Sequence, residues 1–304
     1  MVYLTFVLGL AFLIFGGEVL VRNGVKLAHK LHLSPLVIGI VLMGVGTSLP
    51  ELSASISALF SRPPAPDIAF GNVIGSNISN VLLILGLSAL ISPIKINRES
   101  FRRDGLFLIA SVAMLGTIMA FGYLDAIIGL FLVLFISGYF VICYDKEPEP
   151  EHLRLTKKEE HSVLNLAGLS VLGIGLIVCG ASILVDSVTG LAQLWGVPKS
   201  VLGLTLVAVG TSLPEVTVSV VSAIHKHSTI AYGNVVGSNI ANVFLIVGTM
   251  GLVKSTDVPD LWQSFWIMTG ATVIVLLFGL YGKIPRWAGA LFLCAYGAYV
   301  YLLV

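Results

Sequence analysis

Charge is what this 304-residue chain has least of. Asp, Glu, Lys and Arg together make up 11% of it, and the net charge at pH 7 is +1. Soluble domains carry roughly a quarter charged residues, so this composition cannot clothe a water-facing globular surface. The near-zero balance also supplies no basic face for nucleic acid. Cysteines are few: Cys143, Cys179 and Cys294 sit in apolar runs without metal or redox spacing, and they read as inert small hydrophobes. The start of the chain has no basic leader and no small-residue cleavage site, so it reads as a first spanning helix, not a removed signal. HExxH, a Walker motif, an EF-hand loop and a Ser with a His at membrane depth are all absent. Their absence leaves a metalloprotease, an ATP-driven pump and an intramembrane hydrolase without support, and the chain is not read as an enzyme.

What is abundant is apolar sequence, 57% of residues with a mean hydropathy of +0.99. A spanning helix needs about 20 mostly apolar residues. Ten stretches qualify: 2–28, 33–61, 67–94, 104–122, 124–144, 162–190, 197–225, 228–253, 261–282 and 285–304. Stretches of this length make helices, not a barrel, the way to satisfy every backbone group in lipid. The longest polar stretch, DKEPEPEHLRLTKKEEH at 145–161, reads as a solvated linker. It separates a first five-helix unit, 1–144, from a second, 162–304. Thirteen Lys and Arg residues fall in the turns on the linker's side and three, Arg62, Lys199 and Lys254, on the other. That bias places the linker in the cytoplasm and both chain ends outside.

The two units repeat each other. GIVLMGVGTSLPE at 39–51 aligns with GLTLVAVGTSLPE at 203–215, and GNVIGSNISN at 71–80 with GNVVGSNIAN at 233–242. Five spans is an odd number, so the second copy enters the membrane from the opposite face. The expected fold is an all-α polytopic membrane protein of ten transmembrane helices in two inverted five-helix repeats, the architecture of secondary transporters.

Each repeat carries the same unusual chemistry. Pro50 and Pro214 break their helices and free carbonyls in the preceding turn, near Gly44 and Ala208. Thr47, Ser48 and Glu51 share one helix face, as do Thr211, Ser212 and Glu215. In the second motif Asn72, Ser76 and Asn80 form a polar stripe at i, i+4 and i+8, matched by Asn234, Ser238 and Asn242, while Asn77 and Asn239 lie about 100° away. Gly71 and Gly75 are expected to admit a close helix neighbour. A single copy could be a plain proline kink whose hydroxyls bond back to the helix, and the stripe could be interhelical glue. Neither accounts for a glutamate in each copy, since a carboxylate at membrane depth is expensive and functional by default. Asn72 and Asn234 stay open between ligand support and packing.

The donors are carboxylates, hydroxyls, amide oxygens and carbonyls. None of the six histidines belongs to either motif. Oxygen-only sets favour Ca²⁺, Mg²⁺ or Na⁺ over zinc or copper. Flexible broken helices suit Ca²⁺ or several Na⁺ better than the tight octahedron of Mg²⁺.

GTSLPE with GNVIGSNISN, repeated as GTSLPE with GNVVGSNIAN, resembles the α-repeats of the cation/Ca²⁺ exchanger superfamily, in its prokaryotic sodium/calcium exchanger branch. The resemblance covers the whole chain. It implies a secondary antiporter of a prokaryotic plasma membrane that exchanges about three Na⁺ for one Ca²⁺, with both ions as cargo and no cofactor or obligatory protein partner. It implies ion ligands at Thr47, Ser48, Glu51, Ser76 and Asn80 and at Thr211, Ser212, Glu215, Ser238 and Asn242, with the carbonyls of Gly44 and Ala208. It also implies a sliding pair made by the first and sixth helices. Potassium-dependent relatives carry Asp where this chain has Asn242, so independence of K⁺ is expected. Proton coupling is the alternative within the transporter class, and a cation channel the alternative outside it. Glu18, Arg22 and Asp186, near the ends of the first and sixth spans, are expected to snorkel or pair.

Overall fold

The structure, a computed structural model, describes residues 2–146, 161–194 and 210–303. Apolar runs without internal competitors become long helices: α1 (Val2–Lys30), α4 (Arg98–Phe121), α5 (Ala126–Lys146), α6 (Val163–Leu194), α9 (Trp262–Tyr281) and α10 (Arg286–Leu303). Helices α2 (Pro35–Phe60), α3 (Pro66–Ile91) and α8 (Ser228–Val253) carry the motifs and are interrupted, and α7 (Leu213–Ile224) follows Pro214's break. Among the described residues, eight helices (α1–α6, α8 and α9) are long and apolar enough to cross a membrane. Of the span expected at 197–225, residues 197–209 lie outside the described residues.

The least obvious boundary, between the fourth and fifth spans, is made by Gly122. Its φ of +70° puts it in the left-handed region, where it ends α4 with N–H bonds to Ile118 O and Met119 O. Asp125 caps α5, accepting from the amides of Ile127 and Ile128 at 3.0 and 2.9 Å.

Short strand pairs tie the turns together. Strand β1 (Ile94–Lys95) pairs with β4 (Lys283–Ile284), joining the α3–α4 and α9–α10 turns. Strand β2 (Tyr123–Leu124) pairs with β3 (Thr256–Asp257), joining the α4–α5 and α8–α9 turns at the other end. Two cations finish the helix ends nearby. Lys254 Nζ donates to Leu59 O at the end of α2 (2.6 Å), and Arg286 donates to Ile91 O at the end of α3 (3.0 Å).

Two hydrophobic cores form. The larger joins α2, α3, α4, α5, α8, α9 and α10 around Phe70, Ile78, Leu85, Tyr139 and Phe244. The smaller joins α1 and α6 around Leu13, Leu20 and Ile177, with Ile38, Met43, Val218 and Ile230 from the helices beside them. Within it α1 and α6 run antiparallel, backbone against backbone. A Cβ on Gly9 would lie 2.8 Å from Leu184 N, and one on Gly16 would lie 2.9 Å from Gly173 O. Glu18 and Arg22 do pair, as expected, and Glu18 also meets His225 Nε2 at 2.6 Å.

One sequence expectation needs correction. Gly71 and Gly75 admit no close neighbour: a Cβ on either would meet nothing within 4 Å. The close approach is made by the other copy. A Cβ on Gly237 would lie 2.6 Å from Ile40 O, and one on Gly233 2.8 Å from Leu36 O, because α8 crosses α2 in backbone contact there. Replacing Gly237 by Val forces backbone apart, an overpacking cost of about 1–3 kcal/mol. Gly237→Val is expected to lower the melting temperature of the detergent-solubilised protein by several degrees, and Gly71→Ala to leave it unchanged or raise it. Differential scanning fluorimetry on the two purified variants checks the contrast.

Candidate cation site

The breaks expected at the prolines are there. In α2 the helix stops at Ser48 (φ −81°, ψ 5°) and restarts at Leu49, with Pro50 in the new first turn. Ser212 (φ −85°, ψ 0°) and Pro214 do the same for α7. A second kind of interruption has no proline in it. Wide, i→i+5 bonded turns occupy Gly39–Gly44 in α2, Asn80–Leu85 in α3 and Asn242–Val247 in α8. Such π turns gather at functional sites. Here they begin at Asn80 and Asn242 and end at Gly44, three of the expected ligand positions.

The breaks bring the two copies together. Ser48 Oγ lies 2.8 Å from Gly44 O in its own helix and 3.2 Å from Glu215 Oε1 in the other copy. Its single proton can serve only one of them at a time. Thr47 Oγ1 is placed likewise, 2.9 Å from Met43 O and 3.4 Å from Asn234 Oδ1. Ser238 Oγ donates to Gly44 O at 3.2 Å. That approach needs the glycine, since a Cβ on Gly44 would lie 3.0 Å from Ser238 N. Thr211 and Ser212 come close enough to Glu51 to act on its charge, and Glu215 adds its own field. Ser76, Asn80 and Asn242 are buried on α3 and α8. Ala208 lies outside the described residues. Asp186 stays apart from this cluster, on the wall of an apolar cavity of about 850 Å³ that reaches from α6 to Pro50 and Thr211.

Asn72 and Asn234 have a definite job. Asn72 Nδ2 donates to Glu51 O and to Ser55 Oγ, both at 3.0 Å. Asn234 Nδ2 donates to Glu215 O (3.3 Å) and to Ser219 Oγ (2.9 Å). Each therefore fixes the backbone of its own copy's glutamate. Ser55 and Ser219 were not singled out from the sequence. They sit four residues beyond each glutamate, and aligning the copies past GTSLPE would have flagged them.

Glu51 and Glu215 are each 1% exposed. Among the described residues, both oxygens of Glu51, Oε2 of Glu215 and the Oδ1 atoms of Asn80 and Asn242 are buried and have no hydrogen-bond partner. Buried acceptors are normally satisfied, and a buried carboxylate without a partner loses several kcal/mol of hydration. Five such oxygens in one polar cluster are what a hard cation would complete. Among the described residues no three His, Cys, Asp or Glu side chains gather as a transition-metal site would require, in keeping with a set dominated by neutral oxygens.

The family model for sodium/calcium exchanger proteins matches residues 1–144 and 165–304. The chain belongs to this family. It is 35% identical to the sodium/calcium exchanger MaX1 of Methanosarcina acetivorans, over 99% of this chain and 98% of that protein. It is 34% identical to an uncharacterised membrane protein of Methanocaldococcus jannaschii, over 96% and 94% of the two chains. A solved structure of the sodium-calcium exchanger NCX_Mj, soaked with Na⁺ and Ca²⁺, superposes with a TM-score of 0.85 at 32% identity, covering 100% of this chain and 98% of that one. This member of the exchanger family is an integral membrane transporter, not an enzyme.

The amides of Asn72 and Asn234 generate a prediction. Asn234→Leu removes the donor to Glu215 O and to Ser219, and Asn72→Leu does the same for Glu51. Loss of a group that holds a metal ligand in place costs roughly 10–100-fold in metal affinity. Each variant is expected to need at least about tenfold more Ca²⁺ for the same rise in melting temperature as the unaltered protein. A Ca²⁺ titration by scanning fluorimetry reads it.

Proposed function

We propose that this protein is a Na⁺-driven Ca²⁺ antiporter working by alternating access, with one pocket between the two repeats serving both ions. The observation that carries this reading is the meeting of two buried glutamates, Glu51 and Glu215, across the repeat boundary, with hydroxyls from each copy beside the other's carboxylate. Two carboxylates neutralise one Ca²⁺, which removes most of the penalty for an ion at membrane depth. The same two charges cannot also hold a full complement of Na⁺, so the ions compete. Competition becomes exchange when only a loaded pocket can change sides.

The ligand set of this reading is Thr47, Ser48, Glu51, Ser76 and Asn80 with Gly44 O, and Thr211, Ser212, Glu215, Ser238 and Asn242 with Ala208 O. Pro50 and Pro214 expose the carbonyls. The scaffold of the reading is ten transmembrane helices in two inverted units, 1–144 and 162–304, joined by a cytoplasmic linker at 145–161, with both chain ends outside a prokaryotic plasma membrane. The strand pairs support the inversion. The α3–α4 turn and its repeat equivalent, the α8–α9 turn, are tied into different sheets at opposite ends of the bundle. The antiparallel course of α1 and α6, equivalent helices of the two units, agrees with it. These two are the sliding pair in this scheme, and their separate hydrophobic core supports that role.

In this reading three Na⁺ cross for each Ca²⁺, and K⁺ is not required. Asn242 supports the second point, because a neutral amide there adds no charge to hold a further cation. The test is ⁴⁵Ca²⁺ uptake into proteoliposomes loaded with Na⁺ and diluted into choline or K⁺ buffer. Uptake is expected in both buffers, is expected to need internal Na⁺, and is expected to vanish in Glu51→Ala and Glu215→Ala. Three Na⁺ leaving for one Ca²⁺ entering carries one net positive charge out. An inside-positive potential set with valinomycin should therefore speed uptake, the driving force growing by about 2.3 kcal/mol per charge per 100 mV. Uptake driven by a pH gradient without Na⁺ would replace this reading with proton coupling.

A further inference from the structure

Two asparagines outside the expected ligand set sit where α3 and α8 cross. Asn77 and Asn239 are identical in the two copies and buried. Asn77 Nδ2 donates to Asn239 O, and Asn239 Nδ2 donates to Asn77 O, each at 3.4 Å. Asn77 Nδ2 also reaches Met268 Sδ at 3.5 Å. A carbonyl oxygen accepts and never donates. The NH₂ end of each amide must therefore face the neighbouring backbone carbonyl, which settles which way each side chain is turned.

The consequence reaches the pocket. With its NH₂ committed, Asn239 offers Oδ1 to Asn80 Nδ2 at 2.9 Å, and Asn77 offers Oδ1 to Asn242 Nδ2 at 2.9 Å. Asn80 and Asn242 are thereby turned too, amide nitrogens toward the crossing and oxygens away from it. Among the described residues those two buried oxygens have no partner. Asn242 lies one helical turn beyond Ser238, whose hydroxyl touches Gly44 O in the pocket. Reversed, the same two amides would present N–H groups, and a cation would meet positive hydrogens where it needs oxygens.

Resting on the cation-pocket reading above, we infer that Asn77 and Asn239 are positioning residues that lock Asn242 and Asn80 into the oxygen-forward orientation, each acting on the ligand of the opposite repeat. The clamp also sets which residues fit at the two ligand positions. An ionised Asp at 242 would set a carboxylate oxygen against Asn77 Oδ1, acceptor against acceptor. Asn77 could turn to meet it only by giving up its bond to Asn239 O. The clamp therefore selects neutral side chains at 80 and 242 and keeps the pocket's charge with Glu51 and Glu215.

A double-mutant cycle on Ca²⁺ binding tests this, because residues acting through one another are non-additive and independent ones add. Asn77→Ala, Asn242→Ala and the double variant are titrated with Ca²⁺, as are Asn239→Ala, Asn80→Ala and their double. Apparent Kd is read by isothermal calorimetry on the full chain in detergent, with maximal exchange rate measured in proteoliposomes. Asn77→Ala is expected to raise Kd by roughly tenfold or more and to do nothing further in the Asn242→Ala background. Paired instead with Asn80→Ala, it is expected to add. The same pattern is expected for Asn239 with Asn80. If Asn77→Ala binds Ca²⁺ like the unaltered protein, or if its effect adds to that of Asn242→Ala, the clamp is overturned while the pocket stands. If neither Asn77→Ala nor Asn239→Ala yields folded protein although Asn80→Ala and Asn242→Ala do, the pair holds the fold and the clamp is again overturned. Failure of the unaltered protein to bind Ca²⁺ would sink the pocket reading itself.

Discussion

A carboxylate taken out of water must be answered by something positive, and most of this structure follows from having two of them at one depth. Glu51 and Glu215 sit in a bundle whose remaining charge lies almost entirely at helix ends and turns. Among the described residues neither carboxylate has an ion pair with Lys or Arg; the Ser48 hydroxyl reaches Glu215, and the Asn72 and Asn234 amides hold only the glutamates' backbone carbonyls. Neutral dipoles can orient around the two charges, but they cannot cancel them. On the proposed reading, the helix breaks, the wide turns and the hydroxyl pairs leave oxygen lone pairs pointed inward for a mobile cation to complete. In that sense the polar cluster is a surface built from the inside, and the apolar helices around it are there to keep water from doing the cation's work.

The repeat makes this economical in sequence. One motif pair, used twice, supplies both walls, and the contacts that matter cross from one copy to the other. Ser48 reaches Glu215, Thr47 reaches Asn234, and Ser238 reaches Gly44. Neither copy would present a finished pocket alone. The division of hydrophobic packing into two cores follows the same logic. A large core of α2–α5 and α8–α10 surrounds most of the polar cluster, while α1 and α6 keep a seam of their own built on glycine contacts.

Much of this was legible from residues, and the exceptions are instructive. Eight of the spans, counted among the described residues, could be read because an apolar run of that length has few other uses. The GTSLPE breaks could be read because proline removes a specific N–H. The polar cluster could be read because the carboxylates came with hydroxyls at helical spacing. The wide turns at Gly39–Gly44, Asn80–Leu85 and Asn242–Val247 were invisible, since no local residue type demands them and only packing between helices selects them. The roles of Asn77 and Asn239 depended on a crossing between residues 162 apart in the chain, which helical periodicity within one span cannot reveal. Gly71 and Gly75 misled for the opposite reason. A small residue permits a close neighbour, but the neighbour must arrive, and in the described structure it arrives at Gly233 and Gly237 instead.

The two cations at the helix ends have a consequence for how an ion travels. The C-terminal end of a helix carries partial negative charge on its unpaired carbonyls, and a wandering cation would settle there as readily as anywhere on the rim. At α2 and α3, the helices that carry the first copy of the motifs, Lys254 and Arg286 each already hold one of those carbonyls, Leu59 O and Ile91 O. On the proposed reading, an ion arriving at either helix end would meet a resident positive charge, and the stronger attraction left to it would be the pair of buried glutamates.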